Sequence, residues 1–270
     1  MKNYAGPADI MYHTGLSADM IRGAKYALLP GDPGRVEGLA KALDENALFV
    51  ASHRDYTTWL AQVENAPVLV MSTGMGGPCV TFAVEELARL GVETFIRVGT
   101  TGSIQEDLHL GDVVINTASV RMDGASRAYA PIEFPAVADP DTVLALREAA
   151  EESGIPFKTG ISISTDSFWP GQERYDSFGG YVLKRLQGSL EDFRHIGCTN
   201  YEMENATLFT LCSVLGLKAA SICGVVAKRT DSESVAPHEV YEKAEQRFQD
   251  VVKRALEKMI ARSRSGGNIS

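Results

Sequence analysis

Short apolar runs rich in branched residues alternate along the chain with longer segments of helical period, the pattern of a mixed α/β sheet covered by helices. The strand-like runs are residues 25–30, 67–73, 94–99, 111–116, 160–164 and 218–227. Helical periods fall between and after them, over residues 34–43, 78–90, 141–153, 203–216 and 238–261. In the third of these, Val143, Leu144, Leu146, Ala149 and Ala150 form one apolar stripe. Either Asp139 or Asp141 is placed to cap its start. No internal repeat, low-complexity block or Pro/Ser-rich linker interrupts the alternation, so residues 1–262 are expected to form one domain. The last stretch, 263–270, has nothing to bury and is expected to fray into solvent.

Composition narrows the function classes. A chain of 270 residues with 44% hydrophobic content can bury a large core at the upper end of a single-domain size. Its formal net charge of -9 would repel nucleic acid and an anionic membrane over most of the surface, so neither is an expected partner. The first residues lack the basic start and apolar run of a signal peptide, and no later run is long enough to span a bilayer. Cys79, Cys198, Cys212 and Cys223 form no C-x-x-C pair and have no histidines at zinc-ligand spacing. They read as free thiols in a reducing cytoplasm, with no metal site.

Glycines gather where strands are expected to end: Gly31, Gly74, Gly76, Gly77, Gly99 and Gly102. In open α/β sheets ligands bind beyond the carboxyl ends of strands. The segment Leu29-Pro30-Gly31-Asp32-Pro33-Gly34-Arg35-Val36 runs from a strand through a glycine and a proline into an amphipathic helix, and free N–H groups at such a junction suit an anion. Arg35 in the first turn opposes the helix dipole unless a negative group compensates it: a bound anion, or Asp32 or Glu37. A second segment, residues 95–103, carries Arg97 within an apolar strand that ends in a Gly-Thr-Thr-Gly turn. A buried guanidinium demands a partner, which a phosphate beside Thr100 or a buried carboxylate would supply equally well. Arg54, in Ser52-His53-Arg54-Asp55-Tyr56, reads by itself as a solvated hairpin residue. Neither a Walker loop nor a dinucleotide fingerprint is present, which disfavours nucleoside triphosphates and NAD.

Taken together, these segments make the chain resemble the nucleoside phosphorylase family from about His13 to Ala261, its pyrimidine-directed members above all. The resemblance includes His13-Thr14-Gly15-Leu16, the Gly-Asp-Pro-Gly-Arg turn, residues 52–59, residues 72–78 and residues 97–103. It continues in Pro170-Gly171-Gln172-Glu173-Arg174-Tyr175, Asn200-Tyr201-Glu202-Met203-Glu204 and Arg229-Thr230. It implies a single-domain, three-layer α/β/α fold with a mixed central sheet. It also implies reversible phosphorolysis of uridine and related pyrimidine nucleosides, with inorganic phosphate as co-substrate and no cofactor. Gly31, Arg35, Arg97 and Thr100 match the phosphate pocket, and Arg54 matches an arginine contributed by the neighbouring subunit. His13 matches a histidine that reaches the 5'-hydroxyl across the dimer interface. Met203 and Glu204 match the ribose-binding pair, with Glu202 beside them in the nucleoside site, while Gln172 and Arg174 fall at the uracil edge and Phe168 and Arg229 close to the base. Family members assemble as hexamers, trimers of dimers whose active sites are shared across each dimer.

The chemistry agrees with these assignments. Glu204 can accept hydrogen bonds from ribose hydroxyls and stabilise an oxocarbenium-like centre, while Arg174 can take up the charge that leaves with uracil and Gln172 can read its imide face. Catalysis then falls to Glu204, Arg174, Arg97 and Arg229 through positioning and charge neutralisation, without a covalent intermediate. Two positions depart from the enterobacterial pattern. Asp55 stands where a glutamate usually follows the arginine, and Cys79 where a serine follows Gly-Gly-Pro, at an interfacial monovalent-cation site of some members. Thiols are poor ligands for a hard cation, so potassium is expected to bind weakly or not at all. Lys228 also replaces a more usual asparagine. The competing readings are a purine-directed phosphorylase, a nucleosidase that uses water, and a nucleoside-binding sensor without turnover. Purine members carry a late aspartate that protonates the ring, where this chain has residues 226–230 with Asp231 beyond. Water would not require three arginines.

Overall fold

The structure is a computed structural model that describes residues 2–232 and 234–266. Its strands are β1 (Tyr26–Leu29), β2 (Leu48–His53), β3 (Tyr56–Val63), β4 (Ala66–Met71), β5 (Thr94–Ser103), β6 (Val113–Met122), β7 (Ala136–Val137), β8 (Phe157–Thr165), β9 (Asn200–Glu202) and β10 (Lys218–Lys228). The α-helices are α1 (Ala18–Ile21), α2 (Val36–Leu43), α3 (Gly77–Arg89), α4 (Pro140–Glu152), α5 (Ser189–His195), α6 (Asn205–Leu215) and α7 (His238–Gly266). All the strands belong to one mixed sheet.

Both faces of the central strands are buried, which is why they read as continuous apolar runs. Leu28, Val68, Val70, Ile96, Val98 and Ile222 point into one core with α2, α4 and α7. Their alternate neighbours Ala27, Leu29, Leu69, Met71 and Phe95 meet α3 and α6 on the other side. Helices on both faces of a mixed sheet give the expected three layers. Among the described residues no helix is long and apolar enough to cross a membrane.

One part of the sheet closes on itself. β5 pairs in parallel with β10, β10 runs antiparallel to β6, β6 parallel to β8, β8 parallel to β9, and β9 antiparallel to β5 again. From β5 the open part continues through β1, β4, β3 and β2. β10 follows the whole length of β5 along one edge. The other edge is shared: β1 takes Thr94 to Arg97 and β9 takes Gly102 and Ser103. Between β1 and β9 that edge opens at residues 98–101, a switch point where an open sheet meets a closed ring.

Several expectations need correction. The Gly-Thr-Thr-Gly segment is not a turn but strand, held by β10 as far as Ser103. Asn200–Glu202 forms strand β9, which was not among the expected strands, and the helix expected from residue 203 begins at Asn205. In α4 the buried face takes Ala145 in place of Leu144, which is exposed, because the stripe drifts at 3.6 residues per turn. Asp139, not Asp141, caps it: its carboxylate accepts the N–H of Thr142 at 2.9 Å. α7 runs on to Gly266, so 263–266 are helical, with Arg264 donating to the carbonyl of Glu64. Residues 267–270 lie outside the described residues.

Candidate active site

The opening in the β5 edge is where charge collects. Arg97 shares a strand face with Phe95 and is buried, and its Nη2 pairs with Glu204 Oε2. Its Nε lies 3.6 Å from Glu202 Oε2. The guanidinium folds back over Gly99, where any side chain would collide with it. Burial alone would weaken the guanidinium as a base, but Glu204 first, then Cys223 and Glu202, outweigh it and raise its pKa. Glu204 precedes α6 and accepts the backbone N–H of Gly76 at 2.6 Å through Oε1, which ties it to the glycine turn before α3. Met203 beside it is half-buried.

Glu202, expected in the nucleoside site, is engaged by donors of its own chain. Its Oε2 accepts the N–H groups of Glu204 and Asn205, both at 2.7 Å. Its Oε1 accepts from Ser162 Oγ at 3.1 Å and from Ser164 Oγ. With these donors and no exposed side-chain surface, the carboxylate has nothing left to offer a ligand. Burial pushes its pKa up, opposed by Arg97 and reinforced by Glu204. It braces the start of α6 and the inner side of Arg97 from within the closed ring.

At the end where phosphate is expected, Gly31 lies against the loop after β4, its carbonyl accepting the N–H of Gly74 at 2.9 Å. Thr100 is half-buried in the open edge. Arg35 pairs neither with Asp32 nor with Glu37. Asp32 Oδ1 takes the N–H of Gly34 at 2.8 Å, and Glu37 takes Lys41. The Nε of Arg35 meets Glu245 Oε1 from α7, with the guanidinium 5.3 Å from the ring centre of Phe248. A methyl group placed on Gly74 would lie 3.2 Å from Asp55 Cβ and 3.6 Å from Cys79 Sγ, so both departures from the family pattern meet at this turn. Burial, Asp55 and Glu204 raise the Cys79 thiol, which stays protonated at neutral pH.

The base end is built from a loop. After β8 a single 3-10 turn, Pro170–Gln172, leads to Glu173 in the left-handed region at φ 52. The Glu173 carboxylate caps α5 by accepting the N–H groups of Gly188 and Leu190. Glu173 is itself buried against α5, and its neighbours Gln172 and Arg174 are buried too, with Arg174 stacked 4.2 Å from the centre of the Phe168 ring. Arg229, just past β10, donates from Nη1 to the carbonyl of Gln172 at 3.0 Å and lies over Tyr201. A methyl group on Gly102 would stand 3.6 Å from Arg229 Cγ and 3.9 Å from Arg174 Nη2. One strand, β5, therefore serves both ends: Arg97 and Thr100 at one, the floor beneath Arg174 and Arg229 at the other.

His13 and Arg54 are not brought to this opening by their own chain. His53 Nδ1 lies 2.8 Å from the carbonyl oxygen of His13, and Arg54 stacks over Tyr12 at the tip of the β2–β3 hairpin. The His13 ring stacks on Phe82 at 4.1 Å, with Nδ1 2.6 Å from Glu86 Oε1. Sequence reasoning missed Glu86, Phe82 and Glu245. Glu86 and Phe82 lie four residues apart on α3, a helical spacing that marks them as one face without saying what they meet.

The comparisons with known proteins agree with this geometry. Residues 25–257 match the model of the phosphorylase superfamily, and the chain belongs to that family. It is 50% identical over 223 residues, 83% of this chain and 88% of the relative, to the uridine phosphorylase of Escherichia coli strain K12. The uridine phosphorylase of Thermococcus kodakarensis is 46% identical over 78% of this chain and 75% of its own length. A guanosine phosphorylase of Halorubrum lacusprofundi is 37% identical over 74% of this chain and 77% of its own length.

The anchoring of His13 has a pH signature. Burial would raise the Glu86 carboxyl, but the N–H groups of His13 and Thr14 and the His13 ring outweigh it and hold it below the ordinary value. A depressed folded-state pKa contributes stability that is present above the unfolded value and is lost as pH falls through the folded one. Urea unfolding of the parent and Glu86→Gln across pH 3 to 8 is expected to show a gap at neutral pH that closes below the usual glutamate range. A gap of constant size would assign the effect to packing alone.

Proposed function

We propose that this chain catalyses the reversible phosphorolysis of uridine, and of related pyrimidine nucleosides, to uracil and ribose 1-phosphate in pyrimidine salvage. The observation that carries the reading is the pairing of Arg97 with Glu204 in the opening of β5, on the strand whose Gly102 lies beneath Arg174 and Arg229. In this reading phosphate sits by Gly31, Arg35, Arg97 and Thr100, Glu204 and Met203 hold the ribose, and Phe168, Gln172 and Arg174 hold uracil, with Arg229 behind them. The bond between C1' and N1 breaks with its electron pair passing to uracil, whose charge Arg174 neutralises. A phosphate oxygen then closes on C1', while Glu204 stabilises the positive charge that develops there. Asp231 offers little to a purine reading. It is exposed, accepts from Thr230 Oγ1 at 2.8 Å and lies 3.4 Å from Lys228 Nζ, contacts that keep its carboxyl ionised rather than a proton donor.

The same reading makes the enzyme a cytoplasmic homohexamer, a trimer of dimers, in which His13 and Arg54 complete the site of a second copy. Two features support this. Both residues lie on one face, linked through Tyr12 and His53, with the exposed side chains of Tyr12 against Arg54 and Phe82 stacked on His13. The four cysteines are free thiols, in keeping with the cytoplasm. No cofactor enters the chemistry, and the pairing of Asp55 with a protonated Cys79 does not fit a potassium site.

Incubation with uridine, with and without phosphate, is expected to release uracil only with phosphate. Arg174→Ala is expected to lose turnover by about a hundredfold or more while keeping phosphate affinity, and Arg97→Ala to weaken phosphate affinity, as steady-state kinetics would read. Equal uracil release without phosphate would turn the reading to a nucleosidase. Arg54→Ala and Glu204→Ala, each nearly inactive, are expected to regain activity when their subunits are mixed and reassociated, because a mixed dimer holds one intact site. Independent sites would stay inactive. Turnover in potassium and in sodium buffers of equal ionic strength is expected to match, and clear activation by potassium would show that the site is retained.

A further inference from the structure

Arg35 is held by α7, a helix far along the chain from it. α7 approaches β10 at Gly224, the residue in register with Thr100 of β5. A methyl group on Gly224 would stand 2.7 Å from Ala244 Cβ and 3.4 Å from Phe248 Cε1, so only glycine lets this turn of the helix settle behind Thr100. The same turn presents Glu245 to Arg35 while Phe248 lies under the guanidinium. Both charged side chains are largely buried, 13% and 22% exposed. The contact runs through Nε, on the inner side of the fork. Among the described residues Arg35 meets no second carboxylate, so no other acid competes for its terminal nitrogens.

We propose that Glu245 is a positioning residue for phosphate: it fixes the Arg35 guanidinium so that its outer edge faces the anion. The inference rests on the phosphorolysis reading given above. Arg35 lies at the start of α2, where the helix dipole disfavours a cation. Glu245 offsets that cost before phosphate arrives, and Phe248 limits the ring's tilt. Without the carboxylate, an arginine with several rotatable bonds would have to be ordered by phosphate itself, and affinity falls by what that ordering costs. A competing carboxylate would act in the opposite sense, since its removal would tighten phosphate binding.

The test is a double-mutant cycle of the parent, Glu245→Gln, Arg35→Ala and the double variant, with initial rates against phosphate and against uridine and a melting curve for each. Glu245→Gln is expected to raise the phosphate KM about tenfold, with uridine KM and kcat at saturating phosphate within about twofold. In the Arg35→Ala background the same change should add nothing. Glu245→Asp, which keeps the charge, should recover part of the loss. An unchanged or lowered phosphate KM in Glu245→Gln, or the same rise in both backgrounds, would overturn the proposal. If Arg35→Ala binds phosphate as the parent does, the assignment of Arg35 to phosphate falls, and this inference with it. A defective Arg35→Ala beside a normal Glu245→Gln removes Glu245 alone.

Discussion

Arg97, buried between Glu202 and Glu204, is the interaction on which the rest of the site depends. Two carboxylates and one guanidinium leave the cluster one negative charge in excess, and a buried charge without compensation is among the least favourable things a fold can hold. The fold answers with donors. Ser162, Ser164 and the N–H groups at the start of α6 converge on Glu202, and the N–H of Gly76 takes Glu204. Beyond them a chain of amides, Asn205 to Asn116 to Asn200 to Thr101, fills the inside of the closed strands. Networks of this kind fix geometry because removing one member strands the others.

Much of this was legible in the sequence, though in unequal measure. The central strands announced themselves because burial on both faces leaves an unbroken apolar run, and the anion-binding turn because strand, glycine, proline and helix occur in that order. The hairpin of β2 and β3 was harder to see: half-exposed strands such as Leu48–His53 carry no strong period. β9 was not among the expected strands because Asn200–Glu202 is only three residues long and owes its form to being clasped between β5 and β8. A tertiary constraint, not a local pattern, decides the form there.

Among site residues the same distinction holds. Arg97 was recognisable because an arginine in an apolar strand must have a reason, but the residues that answer it lie far off in sequence. Ser162 and Ser164 alternate with Ile161 and Ile163, a pattern that shows one face to be polar without showing that the face is enclosed. Only the closing of the ring reveals that. Glu202 looked like a ligand because it sits beside Met203 and Glu204, and a strand ending between them sends neighbouring side chains to opposite tasks. Glu245 gave no signal at all, since one acid among many on a charged helix is ordinary until the helix is seen to pass behind Thr100.

The two ends of the opening are made of different material. At one end Arg97 sits on a strand of the closed ring, pinned by Glu202 and Glu204. At the other, Gln172 and Arg174 ride on a single turn whose shape is set by Glu173 clasping α5 and by Arg229 holding a carbonyl. Such a turn can be rebuilt without disturbing the ring. The architecture is thus separable: a change in the turn need not reach the network that holds Arg97.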